Sequence, residues 1–439
     1  MKRTTALLFA AAACLAAPLA AQPASRPAPA TAAVNAQQVV AEVRRVIAER
    51  YVLPERRPAL DAVLAEGLSS GRYSTSDANL LAERINEDLT RVGRDRHLNF
   101  RYDPRAAAQF TGQGGREPDP AAYERQARSR NYGIRELRVL PGNVRYMAYD
   151  GFDWTGESSA AALETAMRFL SGGDAVIIDL RRNGGGSPAA VQYITSHFMA
   201  GGQPLMTFHM NGSETPDRTA TLADVPAGRM IGKPLYVLTS NATASAAEEF
   251  AGHVAGYRLG QLVGENTGGA GFRNDLVPIA GNFILSVSVG RAVLASTGRD
   301  WEAVGHAPNI VTPVPAALDV AHAAALRQLA QNATGADRER MLALADTMAA
   351  RGERRSAALP LTAYAGAFGE RAILADGDRL YYQRGQRPRE PLISLGANRF
   401  AFENNPLLQV EFAADGSRAT AFTIAPIGDA PQGTYQRTQ

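Results

Sequence analysis

The sequence predicts an α/β protein, with a small helical domain before the α/β core and a β domain after it. Three observations predict this. Between residues 135 and 315, apolar runs of strand length alternate with segments of helical period, the pattern of a largely parallel sheet covered by helices. Upstream, residues 35–92 carry apolar residues at helical spacing only. Downstream of residue 360, short apolar segments are separated by turn dipeptides and no helical period survives. The chain has 439 residues and 45% apolar content, enough for more than one buried core.

The elements follow in order. Residues 1–21 have the form of a secretory signal: Lys2 and Arg3, the short apolar stretch Ala6–Ala17, then small residues at Ala20 and Ala21. A periplasmic or secreted location is expected. The single cysteine, Cys14, lies inside this segment, so cleavage near Ala21 leaves no thiol and no disulfide. The rival reading makes Cys14 a lipoprotein anchor, but the residue three before it is Ala11 rather than leucine. Residues 22–34 are a Pro/Ala/Ser-rich lead-in.

A helical domain is expected over 35–95, with Val39, Val40, Val43, Val46 and Ile47 on one face. A second helix, capped by Ser76 or Asp77, carries Leu80, Leu81, Ile85 and Leu89. Residues 103–132 read as a loop with one helix around 121–129, too short to hold an inserted domain. The core, 96–315, contains strands at 144–149, 175–180, 234–238, 261–263 and 283–289, and helices at 159–170, 188–199 and 246–257. A helical linker spans 316–355, with stretches at 316–331 and 337–351. The C-terminal β domain spans 356–439, with strands at 365–368, 380–383, 400–402, 409–412 and 419–424. Asp376-Gly377 and Asp415-Gly416 are hairpin turn signals.

The formal net charge is +3, and Lys2 and Arg3 supply two of those charges. The arginines are scattered rather than gathered, so no nucleic-acid partner is expected. The apolar stretch near the start is too short and alanine-rich for a membrane span, so no stable membrane insertion is expected. Nothing in the sequence specifies an oligomeric state.

Chemistry concentrates after the buried strands, where open α/β sheets place their sites. Ser245 stands between the run Pro234–Leu238 and the helix starting at Ala246. A hydroxyl there has unpaired N–H groups and the positive helix end beside it, and can attack a carbonyl while they hold the oxyanion. The rival role is a simple helix cap. The strand 177–180 runs into Gly184, Gly185 and Gly186, whose backbone can form an anion nest. No Gly-Lys-Ser/Thr follows, so a nucleotide phosphate is not implied.

Six histidines are present. His97 lies in a loop between a helix and a strand, where working side chains concentrate. His197, His253 and His322 fall in predicted helices and read as surface or packing residues. No His-Glu-x-x-His or paired Cys/His spacing occurs, so neither a metal nor a cofactor is expected. Lys233 is the only lysine beyond the leader and starts the strand leading to Ser245, a strand's length from the hydroxyl; a histidine is the better base. Glu302, in a loop beside Trp301, can orient an imidazole or remain an exposed loop residue. Gly67-Leu-Ser-Ser-Gly71 imitates a hydrolase elbow but follows a helix, not a strand.

The order His97, then Asp179 through Gly186, then Thr243-Ala-Ser-Ala-Ala-Glu248, then Gly264–Gly269, then Trp301-Glu-Ala-Val-Gly305 resembles the S41 serine peptidases. That family includes the tail-specific proteases, the tricorn core and interphotoreceptor retinoid-binding protein. The resemblance spans roughly residues 35–320 and implies a crotonase-like core. It further implies Ser245 as nucleophile, His97 as base and Glu302 as its orienter. The oxyanion hole would use the N–H of Ala246 and of Gly185 or Gly186. Two departures separate the chain from the tail-specific branch. Ala270 stands where that branch has its base lysine, and residues 101–135 leave no room for a PDZ module. The branch implied is therefore the tricorn/retinoid-binding-like one. The usual Asp-Gly-His reads Asp95-Arg96-His97 here.

The expected function is hydrolysis of peptide or protein substrates through an acyl-enzyme. The alternatives are a catalytically silent protein of the same fold that binds an apolar ligand, and an esterase.

Overall fold

The computed structural model describes residues 35–108, 110, 119–353 and 355–438. The expected signal segment, the lead-in and Cys14 lie outside the described residues. Among the described residues, no helix is long and apolar enough to cross a membrane.

The core is a six-stranded sheet in the order Ile310–Val311, Gln261–Gly264, Leu235–Thr239, Ala175–Asp179, Val144–Tyr149, Ile134–Leu140. The first five strands pair in parallel and the last is antiparallel. Strands Ala175–Asp179 and Leu235–Thr239 are buried along their whole length, as strands covered on both faces must be. One face is covered by helices Glu157–Ser171, Pro188–Thr195 and Ala246–Gly256. There Leu163, Met167, Val191, Phe250 and Val254 pack on Val176, Ile178 and Val237. The other face is covered by helices Ala317–Asn332 and Gly335–Glu353, through Ala321, Leu326, Leu344 and Met348 against Tyr146, Ile177 and Leu238. The stretch expected as a linker is thus one layer of the core.

Helices Ala36–Arg50, Arg57–Ser69 and Ala78–Gly93 form the N-terminal unit. Their apolar faces do not pack only on each other. Val43, Ile47, Leu60, Leu81 and Leu89 share a core with Phe283, Leu285 and Val287 of the long strand Phe283–Leu294. That strand belongs to a second sheet, in which it pairs antiparallel with Asn99–Tyr102, Pro204–Met210 and Phe272–Ile279. The helical unit therefore sits against the sheet that carries the residues just after His97.

The C-terminal unit is an eight-stranded antiparallel meander in sequence order from Gly366–Phe368 to Gly433–Gln436. The ends meet: the Thr438 N–H donates to Ala367 O at 2.8 Å, and an Arg437 guanidinium nitrogen donates to Ala365 O at 2.8 Å. Tyr364, Phe368, Phe400, Phe412 and Phe422 fill its interior.

Candidate active site

All four parallel connections leave the sheet at the same edge, so the loops after strands Val144–Tyr149, Ala175–Asp179, Leu235–Thr239 and Gln261–Gly264 converge there. Ser245 ends one of them and starts helix Ala246–Gly256. Its backbone is at φ 55° and ψ −123°, a region that L-residues avoid. Two neighbours hold it there. The Ala244 N–H donates to Asn183 O at 3.1 Å, and the Ser245 N–H donates to Glu248 Oε2 at 3.0 Å.

Glu248 is fully buried. Besides Ser245 it accepts from Thr267 Oγ1 and the Gly269 N–H, each at 2.6 Å, and from the Ala270 N–H at 2.7 Å. One carboxylate thus joins the serine's backbone to the loop 265–271. The sequence reading quoted Glu248 without a role. Its acidic character beside a serine motif was visible; its partners 19 to 22 residues away, one hydroxyl and two backbone N–H groups, were not.

The glycines lie against the serine. A Cβ on Gly185 would come within 2.7 Å of Ser245 Cβ and 3.0 Å of the Ala246 nitrogen. Gly185 and Gly186 have φ of 109° and 143°, which glycine alone adopts readily. The Gly185 N–H is already committed to Asn183 Oδ1 at 2.9 Å, and Asn183 Nδ2 donates to Tyr149 O at 2.8 Å. Among the described residues, the N–H groups of Gly186 and Ala246 donate to no acceptor. Of the three expected oxyanion donors, those two are therefore free to hold a ligand oxygen.

His97 follows the left-handed Arg94 and precedes strand Asn99–Tyr102. Asp95 Oδ1 accepts from the His97 and Leu98 N–H groups and sets the turn. Donor atoms of Asp95, His97 and Glu302 lie within 4.8 Å of one another. Asp95 Oδ2, His97 Nδ1 and Glu302 Oε1 are all buried and without hydrogen-bond partners. Two carboxylates and one ring nitrogen at that spacing suit a shared proton, and would also suit a divalent cation. Sequence spacing hides this trio because Glu302 arrives from a loop more than 200 residues downstream.

Glu302 is anchored by its other oxygen, which accepts from the Gly271 N–H at 2.6 Å and the Phe272 N–H at 3.1 Å. Burial and the Asp95 charge push its carboxyl up to about 7. Burial pulls the His97 imidazole below its ordinary value, against the pull of Asp95 and Glu248. The Arg96 guanidinium donates to Gly268 O, so the residue replacing the expected glycine braces the same loop. Ser245 is thus linked to the His97 turn through Glu248, the loop 265–271 and Arg96. Among the described residues, no hydrogen bond joins the Ser245 hydroxyl to His97.

The other candidates fall elsewhere. Lys233 donates its Nζ to Ser171 O and Gly173 O, at the opposite edge of the sheet from Ser245. His197, His253 and His322 are all buried. Of these, His197 Nδ1 pairs with Tyr193 O while its Nε2 is buried without a partner, and His322 Nε2 pairs with Pro141 O. His306 packs beneath the serine's helix, 2.8 Å from where a Gly252 Cβ would stand.

A cavity of about 490 Å³ opens at the serine, lined by Gly186, Ser245, Ala246, Glu249, Phe272 and Trp301 among others.

Comparison with known proteins assigns the fold a family. Residues 143–312 match peptidase family S41, and residues 31–131 match the N-terminal domain of peptidase S41 in eukaryotic IRBP. Together the two matches take in well over half of the chain. Among solved structures, a Bacteroides fragilis protein described as an S41-protease candidate is 23% identical with a TM-score of 0.38. That match covers 43% of this chain and 53% of the other, so this chain spans about half of that relative's length. The photosystem II D1 C-terminal processing protease is 18% identical, covering 64% of this chain and 94% of that one, with a TM-score of 0.40. The tricorn protease is 11% identical over 63% of this chain and 34% of its own, also with a TM-score of 0.40.

Proposed function

Because the chain belongs to peptidase family S41, we propose that it hydrolyses peptide bonds with Ser245 as nucleophile, His97 as general base and Glu302 as the group that orients His97. The observation that carries this reading is the cluster of Asp95, His97 and Glu302, which bring polar atoms within 4.8 Å of one another and each keep a buried polar atom without a partner. An imidazole whose buried nitrogen is Nδ1 and faces carboxylates presents Nε2 outward, as a base for a serine must.

Ser245 Oγ bonds to the substrate carbonyl carbon while its proton passes to His97 Nε2. The oxyanion rests on the N–H groups of Gly186 and Ala246. The C–N bond breaks as His97 returns the proton to the leaving amine. Water, giving a proton to His97, attacks the ester carbonyl; the Ser245 Oγ–C bond breaks as His97 returns that proton to Oγ, and the acid leaves. Glu302 holds the Nδ1 proton throughout. Ala270 in place of a lysine, together with the distant Lys233, supports the histidine-based branch over the lysine-based one.

A fluorophosphonate probe tests the nucleophile: it should label the wild type and not Ser245→Ala. A wild type that resists labelling would favour the silent apolar-ligand binder. Labelling with turnover of simple esters but of no peptide would favour the esterase.

The pH profile tests the base. Catalysis needs neutral His97 and ionised Glu302. Because the His97 imidazole is held low and Glu302 high, Glu302 governs the acid limb, so kcat/KM should fall below a pH of about 7. Asp95→Asn keeps the oxygen that accepts from the His97 N–H and removes the repelling charge. It should move the limb to lower pH. A limb that stays in place, or moves up, contradicts this assignment.

A further inference from the structure

We propose that Glu249 makes the site selective for a lysine or arginine side chain on the residue whose carbonyl is attacked. This rests on the reading of Ser245 as nucleophile. Glu249 follows Ser245 by four positions on helix Ala246–Gly256, so both project from one helix face. Both line the same cavity, which includes Gly186 and Ala246 and therefore begins at the proposed oxyanion hole. A substrate side chain entering from that carbon has about 490 Å³ to occupy, enough for a long one.

The walls and the polar group together specify its chemistry. Phe208, Phe272, Trp301, Pro188 and Ala292 offer apolar and aromatic surface. Glu249 is 3% exposed. Among the described residues it makes no hydrogen bond, and its nearest basic atom is His253 Nε2 at 3.7 Å. His253 is an ion-pair partner only when protonated, and burial pushes the Glu249 carboxyl up against the pull of His253. A buried carboxyl without a donor is costly, and a side chain that brings donors and positive charge removes that cost. The aliphatic stem of lysine or arginine suits the aromatic walls, which also favour a cation over their faces. An aspartate or glutamate would bring a second carboxyl group against that of Glu249.

The cavity's other charged residue points the other way but is weaker. Arg273 is exposed, with its guanidinium 5.4 Å from the Phe208 ring centroid. Its exposed charge is screened and helps keep Glu249 ionised, whereas Glu249 is buried beside the nucleophile.

The test compares fluorogenic peptides identical except for lysine, leucine or glutamate at the attacked residue. The wild type should favour lysine over leucine by at least about tenfold in kcat/KM, with glutamate poorest. Glu249→Gln keeps the shape and removes the charge, and should erase the preference; Glu249→Leu should invert it. The ratio of two substrates on one preparation is insensitive to partial loss of folded protein. A wild type that prefers leucine, or a lysine preference unchanged in Glu249→Gln, overturns the proposal. No cleavage of any peptide beyond that of Ser245→Ala would instead overturn the peptidase reading beneath it.

Discussion

Replacing His97 by alanine is expected to lower kcat/KM by about 10⁴–10⁶, the cost of removing the base of a serine–histidine pair. The effect should be chemical rather than structural. The turn at His97 is held by Asp95 Oδ1 through backbone N–H groups, which alanine keeps. The imidazole makes no hydrogen bond of its own among the described residues, so its loss strands no partner that was satisfied. Circular dichroism and the urea midpoint should therefore change little while turnover disappears. Fluorophosphonate labelling of Ser245 should slow in parallel. A loss of less than tenfold would mean that another group takes the serine's proton.

The second large effect is on stability. Glu248→Ala should lower the free energy of unfolding by at least about 3 kcal/mol. It leaves the N–H groups of Ser245, Gly269 and Ala270 and the Thr267 hydroxyl without their acceptor. An unsatisfied buried polar group costs about 1–3 kcal/mol, and water reaching the new cavity recovers only part of the sum. Glu248→Gln keeps the volume but turns two donors toward donors, so it should fall between wild type and alanine. Urea denaturation of the three proteins measures this order. An alanine variant within 1 kcal/mol of wild type would show that the four bonds are replaceable. Activity should fall with stability, because the same carboxylate ties the serine to the loop that carries the anchors of Glu302.

The sequence revealed most where burial is uniform. Strands Ala175–Asp179 and Leu235–Thr239 are covered on both faces, so they read as unbroken apolar runs. Strand Ile134–Leu140 escaped because it is an edge strand with four exposed residues out of seven. Strand Phe272–Ile279 escaped because Arg273, Asn274, Asp275 and Pro278 hide its pattern, and its partner strand supplies the order. In the C-terminal unit, Arg371–Asp376, Glu390–Gly396 and Gly433–Gln436 were missed for similar reasons: charged ends, a proline, or only four residues.

At the site, Ser245, His97 and Glu302 were legible as motifs in a familiar order. Asp95, Asn183 and Glu248 had no legible role. They act by accepting from or donating to backbone atoms, and a backbone N–H leaves no trace in residue identity. Glu249 was hidden for a different reason. A charged residue on a helix is ordinarily solvated, and only the fold shows this one enclosed.

The backbone angle of Ser245 bears on the choice between a working enzyme and a silent relative. Glycine at position 245 would relax that residue into a conformation it adopts without steric conflict, so the wild-type side chain is kept at a thermodynamic loss. A protein needing only to hold a greasy guest would become sturdier by discarding the hydroxymethyl group. The proposed nucleophile needs that oxygen, and the same side chain also takes part in the capping box of the helix it starts.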